Sequence, residues 1–490
     1  MKKSLLSLLF FTSAIISANA AITQIRWGST ADPLNGLTIT WSNTGTKDSI
    51  KWGYTTKFEK GSFVSTSRTG YTSGTLFFKY TFPSVTGSST IYYELYDSKT
   101  SSWGSQMTFK TAPPVNTKTF SFGVLGDCRD YPATLTTISN LVSARNPSFC
   151  LFNGDLTLSG NSATQYNTFF SAASNFLANN LAYQAEGNHD AASPSMFSNL
   201  WDLPVTNGTN LYYATKYGNA IFITINTNTP TDAAQLTWIQ NTLKAAAADP
   251  TILWKIVSDH HAWFTDGSHN GDMDAYRGTI WKAFDDYGVD MVFTGHDHNY
   301  QRSLPVNLNV SSTKPVSQYG SGSTQGRLQI VSGGAGAGLY AQSSTNDAWA
   351  LTVFNQSYNY TFVKVNGCKV QVYAYDNNNA IIDSVILDKT GTPACITTGI
   401  ADAPELHNVI NVYPNPNTGH FTFHYSAEYI GKATIKIYDL AGREIKTEEV
   451  NKTEQEFNYT FNMSSYAPGV YNISIIAGDH KDNAEFILSR

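Results

Sequence analysis

A chain of 490 residues is too long for one ordinary hydrophobic core, so two to four domains are expected. Apolar residues make up 41% and charged residues only 14%, with Tyr and Phe plentiful, which excludes extensive disorder and suits a β-rich globular protein. The net charge of −5 offers no basic footprint for nucleic acid, so an anionic substrate would need a local positive centre, such as a metal site.

The first segment reads as an address. Lys2 and Lys3 precede a short apolar run, Leu5 to Ile16, and Ala18-Asn19-Ala20 follows the small-x-small cleavage pattern, which predicts a signal peptide over 1–20 and a mature start near Ala21. The run is shorter than the ~20 residues a bilayer requires, and no later stretch reads as a transmembrane segment. Residues 21–114 read as an all-β module: Leu37–Trp41 and Ile91–Leu95 are short strands rich in β-branched and aromatic residues between Gly/Ser/Thr turns, and Ala112-Pro113-Pro114 closes it. From Phe120 the rhythm changes to alternating strands and helices. Strands are expected at Phe120–Leu125, Ser148–Phe152, Ala182–Ala185, Ile252–Val257 and Asp290–Phe293, with helices at Ala133–Arg145, Gln165–Ala178, Asp232–Ala248 and Tyr276–Tyr287. Strands return after Arg327 and end with Ala380–Leu387. The predicted architecture is multidomain: an α/β layered core over 118–390, with two mixed sheets flanked by helices, between an N-terminal and a C-terminal β-sandwich. A linker over 391–408 and a small β module over 409–490 complete the chain.

Four cysteines cannot frame a protein of this size. Cys368 and Cys395 flank a β-rich stretch and are candidates to pair, whereas Cys128 and Cys150 read as buried thiols.

The middle region holds six histidines, His189, His260, His261, His269, His296 and His298, none in the body of a predicted helix or strand. They follow strand ends, where α/β folds place their sites, as do Asp127 and Asp155. Imidazole and carboxylate together suit Zn, Mn or Fe, and a carboxylate can bridge two such cations. A pair of them ~3.5–4 Å apart clamps both oxygens of a phosphoryl transfer and acidifies water. Singly, each motif has a plainer explanation, since Asp, Asn and Gly are turn formers and His260-His261 suits a surface pair. All of them together, each after a strand, make coincidence a poor account.

Gly126-Asp127, Gly154-Asp155, Gly187-Asn188-His189-Asp190, Val257-Ser258-Asp259-His260 and Gly295-His296-Asp297-His298 resemble, in that order, the five blocks of the calcineurin-like metallophosphoesterases, and within them the purple acid phosphatases. Those enzymes also carry an N-terminal fibronectin-III-like domain, and Ser101-Ser102-Trp103 through Pro113-Pro114 is similar to the end of one. The resemblance covers 22 to about 388 and implies a four-layer metallophosphoesterase sandwich. It assigns one metal to Asp127, Asp155 and His298, and a second to Asp155, Asn188, His260 and His296, with Asp155 bridging. It also implies that His189 is the acid at the leaving group and that Asp190 orients or polarises it. His269, and with less support His261, would contact phosphate. The cofactors implied are two metal ions, Fe, Mn or Zn. Two positions depart from the family pattern. Leu158 stands where a metal-binding Tyr is usual, which favours a colourless divalent pair. Asp127-Cys128-Arg129 replaces Asp-x-Gly or Asp-x-His, and Arg129 is suited either to a phosphate oxygen or to a surface salt bridge.

Val412-Tyr413-Pro414-Asn415-Pro416, Ile437-Tyr438-Asp439-Leu440-Ala441-Gly442 and Pro468-Gly469-Val470-Tyr471 resemble the sorting domain of type IX secretion, which implies that machinery as a partner and a secreted or cell-surface location. The expected activity is hydrolysis of small phosphate monoesters, a metal-bound hydroxide attacking phosphorus in line. The alternatives are a phosphodiesterase or nucleotidase of the same superfamily, with selectivity in loops 191–210, 262–274 and 299–326, or a degenerate cell-surface binding protein. Glycan binding through Trp27, Trp41 and Trp52 is a weaker idea, because their alternation with polar residues reads as strand core.

Overall fold

The computed structural model describes residues 22–490 except 31, 115–116, 311–314, 344–346, 348–349, 391, 393–394, 396–408, 428, 440–441, 455, 479 and 490. The expected signal peptide, nearly all of the 391–408 linker, and Leu440-Ala441 of the tail motif therefore lie outside the described residues. The chain divides into two compact units, 1–397 and 398–490.

In the first unit, two sheets face each other. The ten-stranded sheet contains Thr119–Leu125, Phe149–Asn153 and Leu181–Ala185 as parallel neighbours. The seven-stranded sheet has Ala220–Thr224, Trp254–Ser258, Met291–Thr294 and Leu328–Ser332 in parallel succession. The period-2 alternation of a strand explains the layering. Ile221, Ile223, Val257 and Val292 join Ile239 and Leu243 of the helix Ala233–Ala248 in one core, while Phe222, Ile256, Met291 and Phe293 belong to the core between the sheets. There, Phe122 meets Phe222 at 5.1 Å and Phe293 at 5.8 Å between ring centroids. Leu135, Ile138, Val142 and Phe169, from the helices Pro132–Ala144 and Ala163–Ala172, pack in the same core as the first sheet. Asp232 caps the Ala233–Ala248 helix by accepting from Ala234 N and Gln235 N, a contribution of about 1 kcal/mol.

The N-terminal β module is built into this unit. Thr23–Ser29 pairs in parallel with Leu181–Ala185, so its strands Thr23–Ser29, Leu37–Asn43, Leu76–Thr81 and Thr66–Thr69 extend the ten-stranded sheet. A second, five-stranded sheet packs on them. Trp27, Trp41 and Trp52 are buried, and Trp27 stacks on Phe109 at 3.8 Å between centroids, so these rings are core and not a ligand platform.

Some elements differ from expectation. The helix expected at Gln165–Ala178 breaks into Ala163–Ala172 and Ser174–Leu177. The one expected at Tyr276–Tyr287 contains a π turn over Arg277–Trp281, where Gly278 weakens the helix and Trp281 docks against Phe264 and Phe284. The strands Tyr213–Tyr217, Ala220–Thr224 and Tyr300–Ser303 were not expected. Cys368 and Cys395 form a disulfide, and Cys128 and Cys150 are free and buried.

The second unit is a small sandwich of a three-stranded and a four-stranded sheet. Alternate residues Phe421, Phe423, Ile435, Ile437, Ile473, Ile475 and Phe486 form its core. Among the described residues, no helix is long and apolar enough to cross a membrane.

Candidate metal centre

Five parallel strand ends from the two sheets converge. Asp127 follows Thr119–Leu125, Asp155 follows Phe149–Asn153, and Asn188 and His189 follow Leu181–Ala185. Opposite them, His260 follows Trp254–Ser258, and His296 and His298 follow Met291–Thr294. Asp127, Asp155 and His296 all adopt left-handed backbone, with φ of 58°, 53° and 70°. Such residues cost about 1–3 kcal/mol each and persist only where the surroundings over-determine them. Here His296 N donates to Asp127 Oδ2 at 2.9 Å, His189 N donates to Asp155 Oδ1 at 3.0 Å, and Asp127 N donates to the Gly154 carbonyl at 3.1 Å. A Cβ on Gly187 would collide with Asp155, so only glycine permits the close approach of these two turns.

The imidazoles are fixed in useful tautomers. His260 Nδ1 donates to the Asn153 carbonyl at 2.7 Å, leaving Nε2 to face Asn188 Oδ1 at 2.9 Å, His296 Nδ1 at 3.1 Å and Asp155 Oδ1 at 3.4 Å. His298 Nδ1 donates to the Gly338 carbonyl at 2.7 Å, and its Nε2 lies 3.5 Å from Asp127 Oδ1. An imidazole tied through one nitrogen to a carbonyl presents the other as a lone pair, the form a metal requires. Burial, and then the neighbouring His260, His261 and His269 rings, push His296 far below the ordinary histidine range, so it is neutral.

The donor set fits a cation. Asp127, Asp155 and His298 are buried and offer ligand atoms within 4.8 Å of one another. Asp127 Oδ1 and Asp155 Oδ2 are buried with no hydrogen-bond partner among the described residues. A buried anion in that state is costly unless a positive charge meets it. Asn188, His260 and His296 gather on the other side of Asp155.

His189 is partly exposed; its Nδ1 donates to the Leu158 carbonyl at 2.7 Å and its Nε2 lies 3.9 Å from Asp155 Oδ2. Asp190 was expected to orient that ring, but its carboxylate turns inward, accepting from Leu156 N and Gly187 N, both at 3.2 Å. It pins the turn from beneath, and the Leu158 carbonyl orients His189 instead. Burial, and then Asp155, raise Asp190 well above the usual carboxylate range. His269 stacks on His296 at 3.7 Å between centroids, and its Nδ1 lies 3.2 Å from Asp297 Oδ1. Burial pulls His269 down, but the Asp297 bond and charge prevail and raise it. His261 is tied through Nδ1 to Thr227 Oγ1 at 2.8 Å, and burial followed by the His260 and His269 charges lowers it to about 2, so it contributes no positive charge. Arg129 reaches the centre itself: Nε lies 3.4 Å from Asp155 Oδ2, Nη2 is 3.2 Å from His298 Nε2, and Nη1 pairs with Asp130 at 3.0 Å.

Three supporting residues escaped sequence reasoning. Asn153 joins the two sheets, accepting from Ser258 Oγ at 2.9 Å through its side chain and from His260 through its carbonyl. Its position directly before Gly154-Asp155 was the available signal. Asp297, inside the Gly295–His298 motif, accepts from Thr265 Oγ1 and holds His269. Tyr340 stacks on His298 at 3.9 Å, from a loop that carries no motif.

Residues 120–300 match the calcineurin-like phosphoesterase family, and residues 411–489 match the secretion system C-terminal sorting domain. Fold and site together define a metallophosphoesterase domain. Its relatives and its fold neighbour are purple acid phosphatases. The structure of purple acid phosphatase PPD1 from yellow lupin (Lupinus luteus) seeds superposes with a TM-score of 0.63 at 16% identity, covering 75% of this chain and 74% of that one. "Probable inactive purple acid phosphatase 27" of Arabidopsis thaliana is 26% identical over 58% of this chain and 52% of its own length. Purple acid phosphatase 22 of the same plant is 25% identical over 59% of this chain and 68% of its own. The chain thus spans about half the length of the first relative, and relatives named inactive stand beside others that are not. The sorting domain indicates export by type IX secretion to the cell surface or beyond.

Proposed function

We propose that this chain is an exported phosphatase that hydrolyses small phosphate monoesters at a two-cation centre. The proposed division is a fibronectin-III-like module over 21–114, a catalytic domain over 118–390 and a sorting domain over 409–490. Asp127, Asp155 and His298 would hold one ion and Asp155, Asn188, His260 and His296 the other, Asp155 bridging. Bound there, divalent Mn, Zn or Fe would supply Lewis acidity and lower the pKa of water. The observation that carries the reading is the pair of buried oxygens without a hydrogen bond, Asp127 Oδ1 and Asp155 Oδ2, beside His260 and His298, whose Nδ1 atoms are tied to backbone carbonyls.

The protein's own groups have distinct tasks. His269, held by Asp297, presents its ring edge to a phosphoryl oxygen, and Asn188 adds an amide. His189 delivers a proton to the departing alkoxide through Nε2, because Nδ1 is committed to the Leu158 carbonyl. Asp190 maintains the turn that carries both Asn188 and His189.

The test is hydrolysis of a nitrophenyl phosphate monoester and the matching diester by mature protein stripped with chelator and reloaded with Mn, Zn or Fe. Chelator-sensitive turnover of the monoester supports the reading, and preference for the diester replaces it with a phosphodiesterase. A second reading, a binding protein on a degenerate core, is favoured by the contacts of Arg129 with Asp155 and His298. Absence of turnover with every metal would mark a dead or highly selective site and move the binding-protein reading up.

A further inference from the structure

Arg129 touches the centre at the two atoms that matter most. His298 has one free ring nitrogen, Nε2, because Nδ1 is spent on the Gly338 carbonyl, and Arg129 Nη2 is 3.2 Å from it. Asp155 Oδ2 is the carboxylate oxygen without a hydrogen-bond partner, and Arg129 Nε is 3.4 Å away. A cation at the first position would draw on that same lone pair and that same oxygen. The guanidinium is therefore a resident positive charge competing for metal ligands. A guanidinium keeps its charge throughout the physiological pH range.

The hold is loose in geometry. Arg129 Nε, though buried and near Asp155, makes no hydrogen bond, and Nη1 is drawn outward to Asp130 at 3.0 Å. A cavity of about 300 Å³ is bordered by Arg129, Asp130, Leu135, Leu158 and Phe169. A phosphoryl group is a better partner for a planar fork of donors than a misaligned carboxylate is.

We propose that Arg129 gates the first cation position: its guanidinium occupies His298 Nε2 and Asp155 Oδ2 until a phosphoryl oxyanion draws it away, so that binding of the first-position cation and of phosphate are coupled. The proposal rests on the two-cation reading above. Two sites with one shared gatekeeper obey reciprocity: phosphate tightens the cation by the factor by which the cation tightens phosphate. Coupling of this kind is typically about 5–150-fold.

The experiment is calorimetric titration of Mn²⁺ into chelator-stripped mature protein, with and without inorganic phosphate, with bound metal counted by mass spectrometry. Wild type is compared with Arg129→Met, which keeps bulk without charge, and Arg129→Gln, with thermal melts to verify folding. Wild type should bind one Mn²⁺ tightly and a second about tenfold or more weaker, with phosphate restoring the second. In the Met and Gln variants the second Mn²⁺ should tighten by that factor without phosphate, and the gain from phosphate should shrink correspondingly. Two equally tight ions in wild type, no effect of phosphate on wild type, or a phosphate gain that persists in full in folded variants overturns the gate while leaving the metallophosphoesterase reading intact. Failure of wild type to bind Mn²⁺, Zn²⁺ or Fe²⁺ at either position overturns both.

Discussion

Replacing His189 by alanine separates proton delivery from binding. The side chain is about one-third exposed, at 31%, and makes one hydrogen bond, to the Leu158 carbonyl. Its loss should cost only about 1 kcal/mol of stability, so the fold should survive. The metal ligands assigned above are untouched, so metal content should stay at the wild-type level. The catalytic effect should be far larger where a proton is needed. General-acid help is worth roughly 10²–10⁴-fold, or about 3–5 kcal/mol of barrier. An alkyl phosphate leaves as a strongly basic alkoxide and should lose that full factor in kcat/KM. A nitrophenyl phosphate leaves as a stable anion and should lose less than about tenfold. The assay is steady-state hydrolysis of both esters by His189→Ala and wild type, with metal content measured in parallel. Equal losses on the two esters would refute the argument, because the side chain would then be holding phosphate and not supplying a proton.

Asp285 accepts from Leu308 N at 2.8 Å and faces buried Arg327 at 3.4 Å, yet burial outweighs both and raises its pKa from 3.8 to about 6. Its stabilising contribution is therefore complete below pH 3.8 and is lost as pH rises through about 6. Asp285→Asn should remove roughly 3 kcal/mol of pH dependence across that window, read as the difference between urea-melt stabilities of variant and wild type; parallel profiles would contradict it. Trp27→Ala should destabilise the first unit by about 3–5 kcal/mol, because Trp27 is buried against Phe109 and its Nε1 donates to the Ala178 carbonyl at 2.9 Å. A change below 1 kcal/mol in chemical denaturation, on the order of a surface substitution, would mean that the N-terminal strands contribute little to that unit. Stripping metal should lower the melting temperature, since a ligand at a hundred times its Kd adds about 2.7 kcal/mol. Asp127→Asn and Asp155→Asn should lose that sensitivity to chelator, as followed by thermal shift; variants that retain it would place the metal elsewhere.

How much of the protein is legible in one dimension depends on how local each cause is. Turn chemistry is local, so Gly-Asp, Gly-Asn-His and Gly-His-Asp-His after apolar runs mark the strand ends in the sequence itself. The Asp232 cap likewise announces the helix Ala233–Ala248. Ala220–Thr224 and Tyr300–Ser303 escape such a reading because their strand character is confirmed by partners distant in sequence: Trp254–Ser258 for the first, Leu328–Ser332 and Leu351–Asn355 for the second.

The residue types of the centre, the sandwich class and the sorting tail follow from sequence, because periodicity and short motifs encode them directly. What each side chain faces is decided by tertiary structure. Asp190 stands beside His189 in the chain, yet the turn sends one carboxylate inward and the other ring outward. Arg129, two residues from Asp127, could equally have met solvent, and only the approach of the second sheet brings His298 to it. Asn153, Asp297 and Tyr340 act on imidazoles contributed by other strands or loops, or by neighbours across a turn. Their roles arise from convergence in space, which linear spacing does not record.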